Sequence, residues 1–234
     1  MANDVAKKTN GSLALFGDDA KGFDNMTQDD LALPFVRILG QLSPQVTAGD
    51  SKYIESAKPG MIYNTVTHEL YDGTKGINVV PCYYKREYIE WQDRGEGSGA
   101  PVAIHAASSG IINESTRDSI NKDRLKNGNY LENTASYFVM MEDMSQALIT
   151  MKSTQRKKSK KWNSMMMSVR EKKKDGSGYF KPAPFTQMYT LKTVLEKNNL
   201  GSWYGWEIEH QGTIQSKDVL EAAYTFYNSC KQGA

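Results

Sequence analysis

With 234 residues, 39% of them hydrophobic, and a formal net charge of +2, the chain can bury a core of its own and is expected to form one domain with an extension. No run reaches the roughly 18 apolar residues of a membrane-spanning helix, and the opening MANDVAKKTNGSLALFGDD lacks the apolar stretch and cleavage site of a secretory signal, so a cytoplasmic location is expected. Cys82 and Cys230 are too few for a disulfide framework, and neither sits in a CxxC pair.

In chain order, residues 1–30 are polar, carry six Asp against three Lys, and show no sustained periodicity; a disordered acidic segment is expected, with at most a short contact through Leu13, Leu15 and Phe16. DDLALPFVRILGQLSP predicts a short amphipathic element, its helix start at Asp29 and Asp30 and its length limited by Pro34. Alternation then predicts a strand over 61–71, a turn at Tyr71–Thr74 and a long strand over 76–91, the two strands forming a hairpin, with Pro81 at an edge or a bulge. A glycine-rich loop, DRGEGSGAP, opens a polar insertion at about 93–133 in which a short helix is expected.

Two more strands, 134–143 and 146–152, surround a tight turn. Thr154 is placed to cap the helix that follows, where Trp162, Met165, Met166 and Val169 recur at i, i+3, i+4 and i+7. KKKDGSGYFKPAP reads as a loop, 185–198 and 202–214 as a strand pair, and Ser216 as the cap of a final helix. This order gives a mostly β (α+β) chain: an OB-fold-like five-stranded barrel over residues 31–234, with a helix between strands 3 and 4 and a C-terminal helix.

Little in the sequence supports catalysis, and a non-enzyme without metal or nucleotide cofactor is expected. His68, His105 and His210 lie far apart with no HxH or HExxH spacing. GEGSG at 95–99 has the glycines of a phosphate loop without the following Lys-Ser, and no GxSxG elbow occurs.

Charge is segregated instead. From Lys152 to Lys174 ten Lys or Arg face one acid, a net of +9, and such a field attracts polyanions. Its cations, Lys152, Arg156, Lys157, Lys158, Lys160, Lys161, Lys172, Lys173 and Lys174, are candidate phosphate contacts. In VPCYYKREYIEW, strand alternation puts Tyr84, Arg86 and Tyr88 on one face and Tyr83, Lys85, Ile89 and Trp91 on the other. Rings interleaved with cations suit single-stranded nucleic acid, the rings stacking on unpaired bases. Tyr84, Arg86 and Tyr88 are therefore the candidate surface, Tyr83 and Ile89 the core, and Trp91 and Arg94 flank the surface at the strand end. In SWYGW, Trp203 and Trp206 face opposite ways, so at most one of them, assigned to Trp203, joins the binding side. For each ring the competing reading is core packing, since aromatics favour strands.

PFVRILGQLSP, the strand ending YIEW, STQRKKSKKW and GSWYGWEIE together resemble a set of bacteriophage single-stranded DNA-binding proteins encoded among replication genes, distant relatives of the T7-type protein. The resemblance covers about residues 30–231 and implies an OB-fold and binding of single-stranded DNA during replication or recombination. It also implies phage replication proteins as partners and leaves homo-oligomerisation open. The chain departs from the pattern in one respect: such proteins often end in an acidic tail, and here no acid follows Glu221. The Asp-rich residues 1–25 are expected to take over part of that role by competing with DNA. Three other readings stay open: a strand-annealing recombination protein, a virion or assembly protein whose basic helix touches DNA, and a DNA-processing enzyme whose site no motif reveals.

Overall fold

The computed structural model describes residues 32–199 and 201–233; the acidic segment at 1–30, its expected disorder and its contact through Leu13, Leu15 and Phe16 lie outside the described residues. Residues 33–234 form one compact unit. Its strands are β1 (Val36–Ile38), β2 (Ile62–Asn64), β3 (Leu70–Tyr71), β4 (Ile77–Trp91), β5 (Ala103–Ala106), β6 (Thr116–Arg117), β7 (Asp123–Arg124), β8 (Tyr130–Met141), β9 (Gln146–Met151), β10 (Glu171–Lys172), β11 (Tyr179–Phe180), β12 (Gln187–Asn198) and β13 (Gly201–Thr213). Its two α-helices are α1 (Arg156–Ser168) and α2 (Lys217–Gln232).

The protein is mostly β, and eight strands make one curled sheet, a half-barrel. Fifteen-residue β4 is its axis: β8 runs antiparallel along one edge from Val79 to Trp91, while the other edge takes β12 at Ile77–Val79 and β5 at Glu87–Glu90. Strand β9 continues the sheet beyond β8, and β13 beyond β12. The five-stranded barrel expected from the element order is not confirmed; that order carries no information on how β4 divides its edges between partners distant in sequence. Pro81, which has no N–H to donate, sits where the β4–β8 register shifts between Pro81 and Tyr83, as expected of a bulge.

Two aromatic-rich cores occupy the two faces. On the inner face Trp162 of α1 is fully buried, stacked at 4.3 Å on Tyr137 and edge-on to Tyr189, with Val79, Ile149, Leu191 and Trp206 around it. The Tyr137 hydroxyl donates to Asn163 Oδ1 and shares a hydrogen bond with the Ser159 hydroxyl, tying β8 to the helix that covers it. On the outer face α2 lays Ala223 and Phe226 against Val80, Cys82 and Met140. Ser216 caps α2 as its sequence suggested, accepting from Val219 N. For α1 the expected cap fails: Thr154 lies in a 3-10 turn, and the N-cap residue is Gln155.

Gln155 does something else. Its amide donates to Tyr204 O and accepts from Trp206 N, so the side chain fills one peptide position of a missing strand along the free edge of β13. That contact joins the turn after β9 to the far end of the sheet and draws the half-barrel round.

Several expected elements take other forms. In the expected short amphipathic element the helix start at Asp29 and Asp30 lies outside the described residues, and the part after Pro34 forms the strand β1 (Val36–Ile38); Pro34 O accepts from Leu148 N, and the segment joins β9 through a bridge from Phe35 to Leu148. The 61–71 strand is broken into β2 and β3 because Asn64 Oδ1 accepts from the backbone of Val66 and Thr67 and starts a turn. The expected hairpin with β4 therefore does not form; β1, β2 and β3 make a small sheet of their own. That sheet reaches β12 through Gly73, whose carbonyl accepts from Thr193 N; a Cβ on Gly73 would meet Gly60 O at 1.9 Å. Residues 93–133 hold β5, a 3-10 turn at Ile111–Glu114 and the β6–β7 ribbon instead of a helix. The ribbon is held by charge: Asp93 pairs with Lys122 and Arg124, Arg124 with Asp118, and Arg117 with Asp123.

Candidate nucleic-acid interface

Helix α1 presents two unlike sides because its residues repeat every 3.6. Ser159, Trp162 and Met166 point into the core, and the opposite stripe is Lys157, Lys160, Lys161, Ser164 and Ser168, all exposed. Among the described residues no carboxylate pairs with Lys157, Lys160 or Lys161. No acidic residue occurs in the first turn of the helix either, so its N-terminal dipole adds to the positive potential there.

At that end α1 meets the tip of the β12–β13 hairpin. Thr154, Lys157, Lys158, Lys197, Asn198 and Trp203 line a groove of about 270 Å³ whose acid is Glu196. Glu196 is fully engaged: one oxygen pairs with Lys158 at 2.6 Å, and the other accepts from Trp203 Nε1 at 3.0 Å. The indole is thereby fixed with its ring half exposed beside three lysines, and Gly205 leaves the room, since a Cβ there would meet Glu196 Oε2 at 2.6 Å. Trp206, three residues on, is buried in the inner core, in line with the expected opposite facing.

The other sequence-predicted residues are distributed around this groove or away from it. Tyr84 and Arg86 share the inner face of β4 and are exposed, Tyr84 at 37% with its ring 5.1 Å from that of Tyr137. Tyr88 is a correction: it follows them in the alternation but is only 8% exposed, because β5 is laid along the strand there with His105 opposite. Tyr83 packs its ring on Phe138 and Tyr227, but like Ile89 it is only half-buried rather than core.

Trp91 and Arg94 line a separate groove of about 260 Å³ with Tyr130 and the glycine-rich loop. Lys152 stands over the Trp91 ring at 5.8 Å while paired with Glu132 at 2.7 Å, so its charge is already met. Arg156 donates to Ser159 Oγ and borders a third cleft with Arg117, Lys122 and Asn133. Lys172, Lys173 and Lys174 fall on the β10–β11 hairpin beyond the C-terminal end of α1, with exposed Tyr179 and Phe180 across from them. Lys157, Lys158 and Trp203 are thus brought together, and Tyr84 with Arg86; Trp91, Arg94 and Lys152 form a different neighbourhood.

Reading the sequence alone missed Lys197 and the hairpin rings, and also Glu90. This carboxylate is buried on β4 and accepts from Asn127 and Asn129 and pairs with His105, which hold it below its ordinary value, the Asn129 hydrogen bond most of all. These partners lie on two segments remote from Glu90 in sequence, so no local pattern announces them. The described residues contain no cluster of three or more His, Cys, Asp or Glu placed to hold a metal, and no helix long and apolar enough to cross a membrane. The arrangement at the groove offers cations beside a half-buried ring.

Neither a curated protein nor a solved structure matches the chain. A family model described as Pam3 phage gp34-like protein does, over residues 7–234, and the chain belongs to that family of bacteriophage proteins.

Proposed function

We propose that the protein binds single-stranded DNA without strong sequence preference, protecting and organising it during phage DNA replication or recombination, and acts by binding rather than by catalysis. The observation that supports this most is the unpaired stripe Lys157, Lys160 and Lys161 running along α1 from the groove that holds the Trp203 ring. Cations in line follow a phosphate backbone and release its counterions, and a fixed, half-exposed indole offers a stacking face that any base can use. A groove lined by a single indole suits an unpaired base, since the bases of a duplex are already stacked on one another. Tyr84 and Arg86 extend the same chemistry on the inner face.

The proposal is tested by competition. Labelled dT12 bound to the protein is challenged with unlabelled dT12 or with a duplex of equal length, followed by fluorescence anisotropy. Single strands should displace the probe at concentrations at least about tenfold lower than duplex; equal displacement defeats the reading.

A further inference from the structure

The β10–β11 hairpin is exposed along most of its length. Its ladder is two residues long, Glu171 opposite Phe180 and Lys172 opposite Tyr179. Neighbouring side chains on such a ribbon point to opposite sides, so Tyr179 and Lys172 share one face and Phe180 and Glu171 the other. The second face is anchored: Glu171 accepts a hydrogen bond from the Thr213 hydroxyl at the end of β13. The turn is fixed too, because Asp175 Oδ1 accepts from the Ser177 amide and hydroxyl, which leaves Lys173 and Lys174 at the tip. Tyr179 is 69% exposed and Phe180 47%, although nothing in a two-residue ladder requires aromatic rings there.

We infer that this hairpin is a stacking finger for the same single strand: Tyr179 lies against an unpaired base while Lys172, Lys173 and Lys174 hold the adjoining phosphates. The inference rests on the proposed function and extends it. The partner follows from charge: four lysines, Lys172, Lys173, Lys174 and Lys181, surround two exposed rings, which fits an anion carrying flat apolar faces. The position follows from the helix. Trp203 sits at the N-terminal end of α1, and Val169 and Arg170 lead from its C-terminal end straight into the finger. Thirteen helical residues span about 20 Å, the rise of roughly six nucleotides at ~3.4 Å each, so one strand lying along the lysine stripe reaches both rings.

The experiment compares wild type, Tyr179→Ala and Tyr179→Phe on dT4 and dT12, with circular dichroism confirming the fold. On dT12, Tyr179→Ala should bind about five- to a hundredfold more weakly and Tyr179→Phe close to wild type, because the ring and not the hydroxyl makes the contact. On dT4, too short to span both ends of α1, the loss should shrink below about threefold. Wild type that binds dT12 alongside an unaffected Tyr179→Ala overturns the finger alone. Wild type that binds no oligonucleotide overturns the proposed function and the finger together. If Tyr179→Ala loses binding to polyglutamate and not to dT12, the finger belongs to an acidic protein partner and the inference is overturned.

Discussion

Replacing Lys157, Lys160 and Lys161 together by alanine isolates the electrostatic part of the account. All three are exposed and none is ion-paired among the described residues, and alanine is the better helix former, so the fold should be unchanged or slightly stabilised. For single strands each neutralised phosphate contributes about −0.7 to the slope of log K against log salt. Three lost contacts should therefore flatten the slope by about 2. Taking 1 M salt as the point where this term vanishes, the loss at 0.1 M is about two decades of affinity, or roughly 3 kcal/mol. Anisotropy of labelled dT12 at five salt concentrations reads both numbers. An unchanged slope, or a loss equal at 0.1 M and 1 M, would refute the claim that these lysines hold phosphates.

Three stability predictions follow from the fold. Gln155→Ala removes two hydrogen bonds from the edge of β13 and should cost about 1–3 kcal/mol in urea unfolding; no change would mean that the half-barrel needs no such link. Trp162→Ala empties the centre of the inner core and should cost about 3–5 kcal/mol, whereas a loss under about 1 kcal/mol would contradict the packing described. Glu90 gives a pH dependence: with its folded-state pKa depressed, its contribution is present above the ordinary value of 4.5 and is lost as pH falls through the lower folded value. Glu90→Gln should flatten that part of the acid limb of the stability curve, and an acid limb of unaltered slope would exclude this role.

What the sequence revealed and what it hid divide by range. The α1 stripe, the long β4, the bulge at Pro81, the β12–β13 pair and the Ser216 cap each depend on residues a few positions apart, and each was legible. Edge sharing along β4 was not, because β5, β8 and β12 compete for it from up to about a hundred residues away, and strands of two or three residues such as β3, β6 and β10 are too short to show a period. Within the candidate site the alternation of Tyr84, Arg86 and Tyr88 was read with the right facing, yet facing is not exposure. Tyr88 is buried by a strand that the glycine-rich loop delivers from Ala103–Ala106. The groove at Trp203 was half legible: the lysines and the indole stood out, while Glu196, which orients both, reads in the sequence as one acid among many.

The most direct test of the central claim is tryptophan fluorescence of the wild-type protein titrated with dT12 and with duplex, at 50 mM and 500 mM salt. Trp203 in this groove and Trp91 in the separate one are half-buried while Trp162 and Trp206 are buried, so a strand laid against either exposed ring should quench part of the emission. The account predicts partial quenching by dT12, little or none by duplex, and an affinity that falls at least about tenfold at the higher salt. Quenching of equal affinity by duplex, or binding of dT12 that ignores salt, would contradict it.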